Sequence, residues 1–232
     1  MTPPTTINEL YDQTTEHAID HAVLAAPIDS PFEAYLARSN VAKLHIGCGK
    51  HLLPGWLNSD FTPQLPEVAR LDATAIFPIR AAAFDYIFSE HMIEHVPFEG
   101  GQNMLNESYR VLKSGGRIRI STPDLKFLID LYAPQKTALQ QAYIDWATRR
   151  FVPSGIASDT FVINNFMRNW GHLFIYDTKT LRHALAAAGF VDISAHSVNH
   201  SAVPDFMQLE HDGRMPPGFL QLETMTMEAR KP

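Results

Sequence analysis

Gly47-Cys48-Gly49 follows the apolar run Leu44-His45-Ile46, and a carboxylate, Asp60, closes the next short β-rich stretch, Trp56 to Asp60. Glycine has no Cβ, so a turn built on it can take backbone angles closed to other residues and let a ligand lie against the peptide plane. A carboxylate ending the neighbouring strand can accept both hydroxyls of a ribose. Together these residues suit a nucleoside-containing cofactor. The plain structural alternative is a glycine-rich turn beside a surface aspartate, because a lone Gly-x-Gly has little specificity.

The second concentration of reactive groups is Ser89 to His95, where His91, Glu94 and His95 follow an apolar strand. His91-x-x-Glu94-His95 has the letters of the inverted zinc-peptidase motif. That motif needs a continuous helix to set its ligands on one face, and Pro97 falls two residues after His95. It would also leave Gly47, Gly49 and Asp60 without a role. A nicotinamide enzyme fits little better, since the third glycine of Gly-x-Gly-x-x-Gly would fall at Leu52.

The elements that must position these groups alternate between strand and helix. Short β-rich runs occupy 42–47, Trp56 to Asp60, a stretch ending near Leu71-Asp72, Phe84 to Ser89, and Arg117 to Ser121. Before the last of these, Met104, Ser108, Val111 and Leu112 recur at helical spacing, and Gly115-Gly116 reads as the helix stop. This βαβ alternation predicts a Rossmann-like α/β fold, a doubly wound and mostly parallel sheet with an antiparallel last strand. Residues 125–176 form an aromatic-rich helical insertion at the edge where such sheets bind ligands. The core resumes with a helix at Thr178 to Ala188 closed by Gly189, a strand at Val191 to Val198, and a final strand near Leu220 to Ala229. The connection from Asn199 to Gly218 is longer than a structural hairpin needs and reads as a second substrate loop. Residues 7–38 read as one or two helices broken by Pro27 and Pro31, giving a helical cap over 1–40 before a main domain over 41–232.

Composition narrows the function. At 232 residues with 45% apolar content the chain can bury one full core. A net charge of −6 argues against a nucleic-acid partner, which needs a basic footprint. No apolar run of eighteen residues and no signal-peptide pattern at Met1 to Thr6 predict a cytoplasmic protein with no membrane partner. The single cysteine, Cys48, excludes an internal disulfide and reads as a small packing residue rather than a nucleophile. From Lys126 to His172 the balance tips basic through Lys126, Lys136, Arg149, Arg150 and Arg168. That suits either a solvated helix face or a wall facing an acidic substrate.

Taken together, Leu44-His-Ile-Gly-Cys-Gly49, Gly55-Trp-Leu-Asn-Ser-Asp60, Phe84-Asp-Tyr-Ile-Phe-Ser-Glu-His-Met-Ile-Glu-His-Val96 and Arg110-Val-Leu-Lys-Ser-Gly-Gly-Arg-Ile-Arg-Ile-Ser-Thr-Pro-Asp124 resemble the class I S-adenosylmethionine-dependent methyltransferases, in particular a compact bacterial, type-11-like group. Four separated segments agree in order and spacing. The likeness is strong over 41–125 and moderate over 170–230. It implies S-adenosyl-L-methionine as cofactor, with His45, Gly47, Cys48, Gly49, Asp60, Phe61, Asp72, Ala73, Ser89, Glu90 and His91 in contact with it. Asp60 would take the ribose hydroxyls and Asp72 the adenine amino group, although Asp72 also suits a turn-stabilising role. Asp60 follows Gly47 sooner than in a dinucleotide fold, so the helix after the first strand must shrink to a loop, Lys50 to Gly55.

The resemblance further implies transfer of a methyl group to a small molecule, most simply to oxygen of a sugar or phenol-like acceptor. A hydroxyl attacks well only as its proton leaves, and a histidine suits that task at neutral pH. His172, in Asn169-Trp170-Gly171-His172, is the leading base, with His95 and His91 as alternatives and a structural histidine as the plain reading. Trp146, Trp170, Arg149 and Asp124 are the expected substrate contacts, and Asp177 reads as an N-cap. Relatives with Glu-x-x-Glu-His at the 91–95 position hold a divalent ion, so His91, Glu94 and His95 also admit a metal reading, with nitrogen donors favouring zinc over magnesium. A homodimer is compatible with all of this, and so is a Rossmann-like binding protein without methyl-transfer activity.

Overall fold

The computed structural model describes residues 30–152 and 156–232. The expected helices at 7–29 lie outside the described residues. From Ser30 onward a short helix, α1 (Pro31–Leu36), starts with proline at its first turn and the Ser30 side chain capping Phe32 N–H. Tyr35 on α1 donates its hydroxyl to the Gly55 carbonyl at 2.9 Å, fastening this turn to the start of the sheet.

Seven strands form one sheet: β1 (Lys43–Ile46), β2 (Leu57–Asp60), β3 (Ala69–Arg70), β4 (Phe84–Glu90), β5 (Leu112–Pro123), β6 (Val191–His196) and β7 (Thr224–Arg230), in the order β3-β2-β1-β4-β5-β7-β6. The first five are parallel, and β7 runs antiparallel between β5 and β6. The chain winds outward from β1 through β2 to β3, then returns to place β4 on the other side of β1. The carboxyl ends of β1 and β4 therefore border a crevice, with Ile46 in register with both Ser59 and Ser89. Leu44, Ile46, Ile87, Ile118 and Ile120 are buried along these central strands. Covering on both faces explains their near-continuous apolar reading. No helix joins β1 to β2; Lys50 to Gly55 is a loop, as the short Gly47-to-Asp60 spacing requires.

Two element boundaries differ from the sequence reading. Helix α2 (Phe98–Val111) ends before Leu112, whose extended backbone pairs with Phe84, and Gly115-Gly116 is not its cap. The glycine pair instead sits in an irregularity of β5, where Gly115 at φ +79° donates to Lys231 O and Gly116 O accepts from Lys231 N. Burial of the Leu112 side chain in the core favours strand pairing over one more helical turn. Near the C-terminus, Phe219–Glu223 forms a helix, α7, before β7 begins, because Gly218 in the left-handed region turns the chain and Phe219, Leu220 and Glu223 bury with helical rather than alternating spacing.

The insertion supplies helices α3 (Leu125–Leu131), α4 (Ala138–Phe151) and α5 (Asp159–Arg168), each with a side-chain N-cap: Asp124, Thr137 in a capping box with Gln140, and Ser158. They form their own apolar cluster, including Phe127, Leu131, Tyr143, Ile144, Val162 and Phe166, closed by Phe219 of α7. Helix α6 (Thr178–Ala187) follows, with Asp177 accepting from Thr180 N–H at 2.8 Å as its N-cap.

A buried ionic knot fixes the 199–218 connection to the sheet. Arg119 on β5 donates through Nε to Glu210 Oε1 at 2.7 Å and through Nη1 to Glu228 Oε1 at 2.6 Å, and also bonds the Ser197 and His200 carbonyls. All three charged groups are buried. Arg119→Leu would leave two carboxylates without their counter-charge and is expected to lower the unfolding free energy by about 3–5 kcal/mol, read as a lower urea midpoint. Glu210→Gln, which keeps shape and acceptor oxygen, is expected to cost distinctly less.

Candidate functional site

A cleft of about 560 Å³ opens at the carboxyl ends of β1 to β4. Its wall includes Gly47, Gly49, Asp60, Phe61, Asp72, Ala73, His91, Met92 and His95. Gly47 has φ +72°, and a Cβ there would overlap Met92 Cγ. The ligand-facing backbone therefore stays bare for both conformational and steric reasons. Asp60 is held in place by two backbone donors, Gly49 N–H to Oδ2 and Thr62 N–H to Oδ1, each at 2.9 Å. Its carboxylate keeps lone pairs free for a diol. Asp72 combines its two expected roles: it lines the cleft, while Oδ1 accepts from Thr74 N–H and Oγ1. The Thr74 bonds hold its carboxyl below the usual range. A bare turn, a preset carboxylate and an apolar slot with a second acid match the adenosyl portion of a nucleoside cofactor.

Four residues expected at this ligand do not line the cleft. Side chains alternate along a strand, so His45 points away from the face that Leu44 and Ile46 share. It is buried against Phe88 and His51, with Nδ1 at 3.1 Å from Asn58 Oδ1. Burial lowers its pKa to about 4, making it a neutral ring. Cys48 is buried, and burial followed by the Asp60 charge pushes its thiol up to about 11, which removes any nucleophilic thiolate. Ser89 is buried in the sheet. Glu90 turns toward His51, Arg214 and the His211 N–H; burial alone would raise its pKa, but these partners hold it below the usual range.

A second cavity, about 300 Å³, is walled by Tyr143, Trp146, Phe151, Phe166 and Trp170 from the insertion and by Glu94, His172, Arg214, Met215 and Glu223. His91 and His95 line both cavities, so the two spaces meet at these rings. His91 is held at φ +47°, a strained angle for a side chain of this size, with its N–H on Ser121 O and Nε2 2.9 Å from Thr224 Oγ1. The left-handed pair Trp170-Gly171 turns the chain so that the His172 ring packs edge-on to His95, with centroids 4.9 Å apart. His172 Nδ1 lies 2.8 Å from Phe166 O. A carbonyl only accepts, so Nδ1 carries the hydrogen and Nε2 presents a lone pair. Burial lowers the His172 pKa despite the Phe166 bond and the Glu94 charge, so the ring is neutral at neutral pH. Glu223 is held above the usual carboxylate range by burial and bonded by the Tyr143 hydroxyl.

Of the expected substrate residues, Trp146 and Trp170 line this cavity, whereas Arg149 is exposed and Asp124 caps α3. Lys126 and Lys136 pair with Asp130 and Asp159 rather than facing a ligand. Arg214, Glu223 and Tyr143 were not singled out by residue type. The unusual length of the 199–218 connection was the available signal for Arg214, and Glu223 was hidden by reading its segment as strand. The metal reading also changes membership. Glu94, His95 and His172 present ligand atoms within 4.8 Å of one another, while His91 bonds Thr224 instead.

Residues 44–120 match a family model described as "Methyltransferase domain". No curated protein matches the chain. Among solved structures, the chain is similar to an S-adenosylmethionine-dependent methyltransferase from Mesorhizobium loti, at 13% identity, TM-score 0.50, covering 88% of this chain and 99% of that one. It is also similar to such enzymes from Archaeoglobus fulgidus (14% identity, TM-score 0.49, 86% and 94% covered) and Thermotoga maritima (15% identity, TM-score 0.48, 88% of each chain covered). The Mesorhizobium likeness supports the doubly wound fold. Gly47→Ala is expected to destabilise the protein by about 1–3 kcal/mol, from left-handed strain plus overlap with Met92. Adding Met92→Ala should relieve the overlap but not the strain, which denaturant melts of the single and double variants would separate.

Proposed function

We propose that the chain, whose residues 44–120 match a methyltransferase-domain model, is a class I S-adenosylmethionine-dependent methyltransferase that methylates the hydroxyl oxygen of a small sugar- or phenol-like acceptor held in the second cavity. The observation that carries this reading is the shared wall at His91 and His95. Among the described residues, these two rings are where the linings of the two cavities overlap, so a nucleophile in one space would meet a methyl group in the other there.

Gly47 and Gly49 would lie under the ribose and methionyl parts, Asp60 would bind the ribose diol, and Asp72 and Ala73 would border the adenine. The cofactor supplies an electrophilic methyl on a sulfonium and departs as a neutral thioether, so no acid is needed at the leaving group. What remains for the protein is alignment, exclusion of water and ionisation of the acceptor. The aromatic wall formed by Tyr143, Trp146, Phe151, Phe166 and Trp170 serves the first two, making residues 125–176 the acceptor wall. Ionisation falls to His172, whose Nδ1 is committed to Phe166 O and whose Nε2 lone pair is left to accept a proton beside the junction.

Calorimetric titration is expected to show binding of S-adenosylmethionine and S-adenosylhomocysteine and none of NAD. Asp60→Ala should weaken that binding by roughly 1.5–3 kcal/mol, about 10- to 150-fold, the usual worth of hydrogen bonds to a charged group. His172→Ala should bind the cofactor normally but lose about 10²–10⁴ in turnover. Mass spectrometry of hydroxylated acceptors for a gain of one methyl provides the assay; unchanged turnover in His172→Ala would remove that residue from the reaction.

A further inference from the structure

Arg214 closes the short turn Asp212–Arg214 and reaches the second cavity from the 199–218 connection. A guanidinium carries five N–H donors in a planar fork and keeps its charge at any physiological pH. Among the described residues, none of the Arg214 donors makes a hydrogen bond. Its ion pair with Glu90 Oε1 stands at 3.6 Å, well beyond the about 2.7–2.9 Å of a charge-assisted bond. Glu90 is engaged elsewhere: each of its oxygens lies 3.1 Å from the His211 N–H, and Oε2 also faces His51 Nδ1 at 3.6 Å. The Arg214 fork is thus charged, only 29% exposed and without a bonded partner. A partly desolvated cation in that state gains from any anion that reaches it.

The cavity also has a direction. On the side of the cofactor cleft, Glu94 is bonded by Thr122 Oγ1 and faced by His91 Nδ1 at 3.4 Å and His95 Nε2 at 4.0 Å. The charges acting on Glu94 are those two histidines, whereas Arg214 acts on Glu90, Tyr143 and Glu223. Arg214 therefore belongs to the Tyr143–Glu223 side, across from the rings at the junction. Burial holds Glu223 above the usual carboxylate range, so that side carries less negative charge than its residue types imply. A space of about 300 Å³ with an aromatic wall between a reacting side and a spare guanidinium suits a small molecule with two different ends. One guanidinium beside the Glu90 carboxylate matches a single negative charge better than the double charge of a phosphate ester.

We propose that Arg214 is a specificity residue that binds a carboxylate on the acceptor, making the substrate a hydroxy acid whose carboxylate lies on the guanidinium fork and whose hydroxyl lies at the wall shared by His91 and His95. This rests on reading the second cavity as the acceptor site and narrows the acceptor within it. Two parallel N–H···O bonds fix a planar carboxylate in orientation as well as position. Anchoring one end limits the hydroxyl at the other to a few approaches toward the methyl carbon, which is the alignment the displacement needs. A neutral acceptor of the same shape leaves the guanidinium unmatched and is disfavoured for that reason.

The test compares acids with neutral counterparts on the full-length protein: hydroxybenzoates against hydroxybenzamides, and glucuronate against glucose. Mass spectrometry reads the gain of a methyl group, and calorimetry on protein loaded with S-adenosylhomocysteine reads binding. At least one acid is expected to bind and react better than its neutral counterpart by about tenfold or more. Arg214→Gln should erase that preference by raising KM for the acid about 10- to 150-fold, the worth of hydrogen bonds to a charged group, with a much smaller effect on kcat. Arg214→Lys keeps the charge but not the fork and should restore the preference in part. Lys179→Gln, which removes a charge from an exposed side chain, should leave it as it is. S-adenosylhomocysteine binding is the folding control; if the glutamine variant fails it, Arg214→Lys carries the comparison. Neutral compounds that bind and react as well as the acids, no binding of any acid, or a preference that survives the Arg214 changes overturns the assignment. Where neutral hydroxyls are still methylated, the proposed function stands without it. Acid binding that is lost in Arg214→Gln, in a protein that methylates none of these hydroxyls, supports the carboxylate site and counts against oxygen as the methylated atom.

Discussion

The backbone carbonyl of Glu94 accepts two N–H groups, from Leu173 at 2.7 Å and Phe174 at 3.2 Å, and the site's layout depends on this junction. Glu94 sits on the turn after β4, Thr122 ends β5, and Leu173 begins the return from the helical insertion. One residue therefore joins the strand end that borders the cofactor cleft to the chain that delivers His172 and the aromatic wall. Buried backbone groups must find partners, so the insertion is docked where its return can satisfy that carbonyl. The junction acts together with Asp124 N–H on Glu223 O, Leu125 N–H on Tyr176 O and the packing of Phe219 in the α3–α5 cluster to hold the insertion over the ends of β4 and β5.

The electrostatics follow from the same burial. Glu94 and Glu223 at the base of the second cavity are buried, so charges there persist only with partners. Glu94 remains anionic because histidines face it, whereas Glu223, nearer Tyr143 than any cation, is driven toward its neutral form. His45 and His172 are both driven toward neutrality, with different consequences: His45 is sealed beneath the sheet, while His172 opens onto the junction. Remote from the cleft, Arg119 gathers Glu210 and Glu228 and so positions the segment that carries Arg214 to the cavity rim.

Much of the first cleft was legible because its requirements are local. Gly47 and Gly49 are needed wherever a chain leaves a strand with bare peptide facing a ligand, and Asp60 is fixed by backbone donors only a few residues away. The strands announced themselves through buried β-rich runs, and the missing helix between β1 and β2 followed from the separation of Gly47 and Asp60. Errors arose where local signals compete. Gly115-Gly116 resembles a helix stop but serves a strand irregularity, and 219–223 is apolar enough to pass for strand until Gly218 turns it into a helix.

Sequence alone determined the order of the β-rich segments, the glycine turn, the carboxylate at 60 and the presence of histidines at 91, 95 and 172. Only the tertiary structure decided which of those histidines act together. His91 and His95 share a turn, yet His91 is claimed by Thr224 on β7, while His172, far along the chain, packs against His95. Likewise His45 and Glu90 lie within the motifs but face away from the cleft, and Arg214 and Glu223 reach the second cavity from segments without any motif. The physical reason is range: backbone conformation and strand alternation are set by neighbours in sequence, whereas the partner of a buried polar side chain is chosen by whichever element packing brings within hydrogen-bond reach.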